Sequence, residues 1–379
     1  MHTIRYGIIG VRGMGSGHYH CLEAIPDAEV IAVADNRPES LNLFQHRLHD
    51  WDAVADSLKG VGHEARAARQ EEWETIPAPP YNGPITFFSD YRKMLELDDL
   101  DAVVIATPDC THVDIVLDCL AAGKHVLSEK PAATTVKQLS TLEVAVAKSD
   151  RTYQVGLECR YLPTYQTMRR MIVEENAIGR PVMTWCLEFR GPFLRKVDNW
   201  IMSQEKTGGV FVEKTCHFFD LMAWLVDSVP KTVTAVAGQD VVKEIYGIKP
   251  DIFDNGWVTI EYENGARGML GLCMFGAGRK PLSITVLGED GQMEGLFGPQ
   301  KIEVAKRGVS KMEVIEAGAD NEYAHLSHGG GVYFEHLAFI DSIRTGRTPL
   351  TDIETARWST LVGLAAEESA RNGSTLVNL

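Results

Sequence analysis

The residues best suited to chemistry gather at three places in the first third of the chain. The first is Gly7-Ile8-Ile9-Gly10-Val11-Arg12-Gly13-Met14-Gly15, between an apolar run (Ile4 to Ile9) and a helix-compatible stretch reaching about Ile25. Glycines in such a turn permit a tight bend, close approach of backbone to a diphosphate, and packing of helix on strand. The helix beyond offers free N–H groups and the positive end of its dipole. A second apolar run, Val30 to Ala34, stops at Asp35, about 20 residues past Gly15, where a carboxylate would bind ribose hydroxyls. Gly10, Arg12, Gly13 and Met14, with Asp35, Asn36 and Arg37, are therefore candidate dinucleotide-binding residues. Arg12 stands where the G-x-G-x-x-G pattern has its middle glycine, and a plain tight turn is the competing reading.

The other two places are Thr107-Pro108-Asp109-Cys110-Thr111-His112, after the run Ala102 to Ala106, and Glu129-Lys130-Pro131, after His125 to Leu127. In open α/β sheets ligands bind beyond the carboxyl ends of the strands. Thr107, Pro108, His112, Glu129 and Lys130 are thus expected to face the cofactor, with Lys130 directed at a nicotinamide ring.

The elements that must hold these residues are strands alternating with helices. Continuous apolar strands in that alternation imply a parallel sheet covered on both faces. Residues 1–130 therefore read as a doubly wound α/β Rossmann domain, with a helical insertion over about 40–84 that ends in a proline-rich stretch. After Pro131 two helices (Val136 to Lys148, Pro163 to Glu175) precede alternating segments: Met183 to Phe189, Thr232 to Ala237, Trp257 to Tyr262 and Arg267 to Met274. Turn signals such as Glu263-Asn264-Gly265 suit antiparallel hairpins. Residues 131–379 are expected to form an α+β domain on a large, mainly antiparallel sheet, closed by a helix from Asp352 to Ala370.

A formal net charge of −15 argues against nucleic acid and against anionic membrane surfaces as partners. No stretch approaches the roughly 20 apolar residues of a membrane helix. The first residues show no basic segment followed by a long apolar one, so no signal peptide is expected. Seven cysteines, without a C-x-x-C pair, fit reduced thiols and a cytoplasmic location.

Taken in order, G-x-x-G-x-G, D-A-V-V-I-A-T-P-x-x-x-H and A-G-K-H-V-L-x-E-K-P resemble the glucose-fructose oxidoreductase / inositol dehydrogenase (Gfo/Idh/MocA) family. The likeness continues through Arg160-Tyr161-Leu162-Pro163, Ile178-Gly179-Arg180-Pro181 and Gly208-Gly209 to His217-Phe218-Phe219-Asp220, nearly the whole chain apart from the insertion. The resemblance implies that Lys130 contacts substrate and nicotinamide. It also implies a carboxylate and a histidine in a G-G-x-x-x-D-x-x-x-H segment, here Glu213 and His217, with glutamate in place of aspartate and Lys214 as an extra cation. On one helix Glu213 and His217 would be i, i+4 neighbours, the carboxylate orienting the imidazole.

Oxidation of an alcohol releases a hydride and a proton, so His217 is the expected base, Glu213 its orienter, and Lys130 the cation stabilising alkoxide. Arg160, Arg190 and Trp200 are candidate substrate contacts. His325, Ser327 and His328 form either a solvent turn or a lid. His18, His20 and His112 read as structural or cofactor-loop groups, and no metal site is expected. The resemblance leaves three functions open: an NAD(P)-dependent oxidoreductase acting on a hydroxyl carbon of a sugar, polyol or cyclitol; a redox-neutral NAD-dependent glycosidase or lyase; and a non-catalytic dinucleotide-binding regulator. NAD is the expected cofactor, with NADP the alternative, and a homodimer or homotetramer the expected assembly.

Overall fold

Apolar runs such as Ala102–Ile105, in which every residue is buried, need cover on both faces, and the chain supplies it. A computed structural model describes residues 2–59, 63–277, 282–298 and 300–379. Its first sheet comprises β1 (Ile4–Ile9), β2 (Ala28–Ala34), β3 (Thr86–Phe88), β4 (Ala102–Ile105), β5 (His125–Glu129) and β6 (Tyr153–Gly156), all parallel, in the order β3-β2-β1-β4-β5-β6. The order reverses between β1 and β4, which opens a crevice at their carboxyl ends.

The helices that follow these strands are α1 (Gly13–Glu23), α2 (Pro38–His49), α3 (Trp51–Ser57), α4 (His63–Thr75), α5 (Tyr91–Leu95), α6 (His112–Ala121) and α7 (Val136–Lys148). Val113, Val116, Leu139 and Leu142 of α6 and α7 cover one face of the sheet. Cys21, Leu22 and Phe44 of α1 and α2 cover the other, joined by Phe339 and Ile340 from far along the chain. Two differences from the sequence reading concern extent. β3 and β6, of three and four residues, are too short to show as apolar runs, so the first sheet continues to Gly156 rather than closing at 130. Within the stretch 40–84, α2 is the ordinary crossover helix, and α3 and α4 are the added part, packed on it through Leu43, Val54, Leu58 and Trp73.

The second sheet comprises β7 (Pro181–Phe189), β8 (Pro230–Gly238), β9 (Asn255–Tyr262), β10 (Arg267–Cys273), β11 (Ser283–Gly288), β12 (Gly291–Leu296), β13 (Lys301–Lys306), β14 (Glu313–Glu316) and β15 (Val377–Asn378). Its order is β14-β13-β12-β11-β7-β10-β9-β8-β15, and among the described residues only the β7–β10 pairing is parallel. The remaining helices are α8 (Pro163–Arg169), α9 (Gln204–Thr207), α10 (Val210–Glu213), α11 (Cys216–Leu225), α12 (Gly331–Thr345) and α13 (Ile353–Arg371). Met168, Leu221, Met222, Val362 and Ala366 from α8, α11 and α13 bury one face of this sheet. Strict alternation along β9 sends Trp257 to the opposite face, where Met183, Leu187, Phe189, Val236 and Met269 are also exposed. No described helix is long and apolar enough to cross a membrane.

Candidate active site

The turn after β1 is bare because it has to be. Gly10 has φ +84°, and a Cβ on it would stand 2.6 Å from the Ala106 carbonyl oxygen. A Cβ on Gly15 would stand 1.8 Å from the Gly10 oxygen, so α1 seats directly on the turn. No side chain caps α1 and no acidic residue occupies its first turn, which leaves its N–H groups and positive dipole end for an anion. Asp35 joins this turn to the one after β2: Val11 N donates to Oδ2 at 3.2 Å and Arg37 N to Oδ1 at 3.0 Å. Burial raises its carboxyl pKa, against those two hydrogen bonds. Asn36 is exposed beside it. Arg12, the departure from the fingerprint, turns its guanidinium away to Glu74 of α4, and Arg37 pairs with Asp198 at 3.0 Å. The cradle, the uncapped helix and the carboxylate together fit a dinucleotide.

The loops after β4 and β5 are tied to each other. The His112 ring nitrogens lie 3.0 Å from the Pro131 and Thr107 carbonyl oxygens, and Thr107 Oγ1 lies 2.7 Å from Thr111 Oγ1. Burial lowers the pKa of His112, so the neutral ring donates to one carbonyl at a time. Pro108 precedes the buried Asp109. Glu129 is committed to structure: its Oε1 lies 3.0 Å from His18 Nε2, and its Oε2 accepts from Lys130 N at 3.2 Å. The other nitrogen of His18 lies 2.9 Å from His336 Nε2 on α12. Glu129 therefore fixes the backbone that presents Lys130, which precedes a cis proline.

Lys130 reaches across to the second domain. Its ammonium donates to the Glu213 carbonyl at 2.9 Å and to Glu213 Oε1 at 3.3 Å, while Lys214 Nζ lies 2.8 Å from Glu213 Oε2. Burial works against the Lys130 charge, but Glu213, with smaller help from Asp109 and Glu129, outweighs it and raises the pKa. Burial dominates at Lys214 and lowers its pKa. Glu213 is itself held charged: burial opposes this, and the two lysines prevail. Asp109, buried beside Glu213, is pushed well above the carboxylate range, first by burial and then by that neighbour.

This pairing corrects the expected one. The chain does not continue as one helix from Glu213 to His217. It breaks at Lys214 and Thr215 between α10 and α11, so the i, i+4 relation is lost. The carboxylate facing His217 is Glu158, whose Oε2 lies 3.4 Å from Nδ1; Glu158 Oε1 lies 3.9 Å from His328 Nδ1. Burial lowers the His217 pKa, Lys130 adds to the effect, and Glu158 opposes it. Glu158 sits just past β6, at the same edge of the sheet as the other functional loops. That position was its signal, but β6 was too short to be seen.

The structure brings His328 into the site from the loop before α12, while His325 stays exposed with Nδ1 2.9 Å from the Glu322 carbonyl. Arg160 is drawn elsewhere. Its guanidinium holds Asp220 through two 2.7 Å hydrogen bonds, lies over Trp224, and lines a separate cavity of about 340 Å³. Arg190 pairs with Glu188 at 3.1 Å, and Trp200 packs against the core of the second domain. Glu158, Cys159 and His217 do place ligand atoms within 4.8 Å of one another. Burial, then Glu158, pushes the Cys159 thiol far above its usual pKa.

A parallel sheet with a bare glycine turn at its switch point, joined to an antiparallel-rich sheet whose covering helices supply a lysine-bound carboxylate and a histidine, defines a two-domain nicotinamide oxidoreductase. The sequence matches "Oxidoreductase family, NAD-binding Rossmann fold" over residues 4–157 and "Oxidoreductase family, C-terminal alpha/beta domain" over 170–379, and the chain belongs to the Gfo/Idh/MocA oxidoreductase family. It is 24% identical to a myo-inositol 2-dehydrogenase of Thermotoga maritima over 367 residues, 97% of this chain and 96% of that one. It is 28% identical to the oxidoreductase YrbE of Bacillus subtilis over 264 residues, 70% of this chain and 65% of that one. A solved levoglucosan dehydrogenase, in complex with NADH and levoglucosan, shares the fold with a TM-score of 0.79 at 20% identity, covering 99% of both chains.

Proposed function

We propose that the enzyme oxidises a hydroxyl-bearing carbon of a sugar, polyol or cyclitol and reduces the corresponding ketone. The observation that carries this reading is the meeting of Lys130, from the sheet edge of the first domain, with Glu213 and His217 of the second. When bound, the nicotinamide supplies the hydride acceptor and donor. His217, held neutral by burial, takes the hydroxyl proton as the alcohol is oxidised. Glu158 steadies the imidazolium that results, and Lys130 has one N–H beyond the two given to Glu213 with which to hold the developing alkoxide. In reduction the same groups return the proton. The test is a panel of sugars, polyols, cyclitols and glycosides assayed for both reduced nicotinamide and cleavage products. The names of the relatives favour inositol and other ring polyols as first choices.

The acid limb of the pH profile should report His217. The base must be unprotonated, and its pKa is depressed, so turnover should reach half its maximum below pH 6.5. Glu158→Gln removes the carboxylate that raises that pKa, which should move the limb to still lower pH and reduce kcat by roughly tenfold. An unmoved limb would separate Glu158 from the proton transfer.

NAD+ should bind more tightly than NADP+ by roughly tenfold, equivalent to about 1.4 kcal/mol. Asp35 and Glu74 place carboxylates at the ribose end, and the neighbouring Arg12 and Arg37 are already paired with Glu74 and Asp198. Tighter NADP+ binding in calorimetry would show those arginines released to the 2′-phosphate. The exposed apolar face of the second sheet should be buried in a homodimer or homotetramer, with the chain in the cytoplasm, where its seven unpaired cysteines stay reduced. Trp257→Glu should shift sedimentation towards monomer; a wild-type monomer at micromolar concentration would contradict this.

A further inference from the structure

We propose that Lys196, carried by the second domain, binds the diphosphate of the dinucleotide, and that residues 190–202 form a strap which delivers it across the cleft. The strap leaves the end of β7 and touches three parts of the first domain in quick succession. Arg195 Nη2 lies 3.0 Å from Glu71 Oε1 on α4. Lys196 Nζ lies 3.5 Å from where a Cβ on Gly13 would stand, in the space that the absent side chain leaves. Asp198 takes both carboxylate hydrogen bonds from Arg37 Nη1, at 3.2 and 3.0 Å. The added helices, the glycine turn and the turn after β2 are the surfaces against which an adenosine diphosphate would lie. Asp198 and Asn199 both have φ +49°, a left-handed conformation that aspartate and asparagine adopt more readily than other non-glycine residues. The reversal at these two residues is what turns the strap back after Lys196 has reached the glycines.

Arg12 is paired with Glu74, Arg37 with Asp198, and Arg47 donates to Ser16 Oγ. The Lys196 ammonium pairs with no carboxylate and makes no hydrogen bond among the described residues, its carbonyl alone accepting from Asn199 N at 2.9 Å. The groups acting on it are Lys214, Glu213, Lys130 and Asp109; burial and then Lys214 depress its pKa to about 8. A half-buried cation with Lys214 and Lys130 nearby gains from an anion placed beside it. The uncapped start of α1 is where that anion would be.

This inference rests on the nicotinamide reading, and binding, rather than turnover, tests it. NADH, ADP-ribose and adenosine are titrated calorimetrically into the wild-type protein, Lys196→Met and Lys196→Arg. Lys196→Met should weaken NADH and ADP-ribose by the same factor, roughly 10- to 100-fold, leave adenosine unchanged, and be largely rescued by arginine. Because the charged lysine favours the anion, wild-type NADH affinity should fall between about pH 7 and about pH 9, and this slope should vanish in Lys196→Met. The melting temperature of the ligand-free methionine variant should not drop, since the cation removed has no partner to lose. ADP-ribose bound equally by wild type and Lys196→Met would overturn the proposal while leaving the cofactor reading intact. So would a loss confined to the KM of the substrate, which would place Lys196 against the substrate instead.

Discussion

His217→Ala should lower kcat by roughly 10²–10⁴-fold, the usual contribution of a positioned general base. Affinity for NADH should stay close to that of the wild type, because the imidazole faces Glu158 and not the glycine turn. The acid limb of the pH profile should disappear with it. Lys130→Met should cost roughly 10²–10³-fold, the scale of a single donor to a developing oxyanion. That variant still leaves Glu213 paired with Lys214, so the fold should tolerate it. The two changes together should cost less than the product of the separate losses, because both groups act on one oxygen. If His217 merely filled space, its removal would depress the melting temperature and leave turnover per folded molecule nearly intact.

Glu213→Gln should be more damaging than a lost orienting contact, since Glu213 is the shared counter-charge of a buried lysine, Lys214, and a part-buried one, Lys130. Removing one member of a buried ion cluster typically costs about 3–5 kcal/mol, because the remaining charges stay desolvated. Without the carboxylate, the Lys130 pKa must fall, for Glu213 is the main influence raising it against burial. Two opposite pH responses follow. Activity that needs a charged Lys130 should fall as pH rises and recover as it is lowered. Stability should move the other way: a lysine whose folded pKa lies below its unfolded value favours the folded state more as pH rises towards that unfolded value. Activity assayed against pH, alongside thermal melts over the same range, separates the two. Glu213→Asp should restore much of both. A glutamine variant with wild-type stability and an unchanged pH profile would show that the lysines do not depend on this carboxylate.

What could be read in advance followed from how local each requirement was. Gly10, Gly15 and Asp35 answer needs set within one strand–turn–helix unit, so residue type and spacing sufficed. Lys130 was legible because it directly follows a strand end. Glu158 follows one too, but Tyr153–Gly156 carries a glutamine and only four residues, and its apolar character emerges only beside β5. The pairing of Glu213 was not legible because one partner, Lys130, stands 83 positions away, and no proline or glycine marks the break at Lys214 and Thr215. Lys130 and Lys214 bind the carboxylate, and Thr215 Oγ1 bonds back to the Phe211 carbonyl at 2.7 Å. Arg160 looked free in sequence because its partner, Asp220, stands 60 positions away. Lys196 gave no signal, since its meaning depends on a contact with Gly13 from the other end of the cleft.

In the reaction proposed above, a hydride leaves a hydroxyl-bearing carbon of the substrate and remains on the cofactor. Once the panel has identified a substrate, the same compound deuterated at the reacting carbon should be incubated with NAD+ and the wild-type enzyme. Reduced cofactor and ketone should form in equal amounts, with the deuterium on the nicotinamide, and His217→Ala should slow both together. Product that accumulates by bond cleavage, with no net reduced cofactor and the deuterium returned to carbon, would contradict the claim and place the enzyme among redox-neutral lyases or glycosidases.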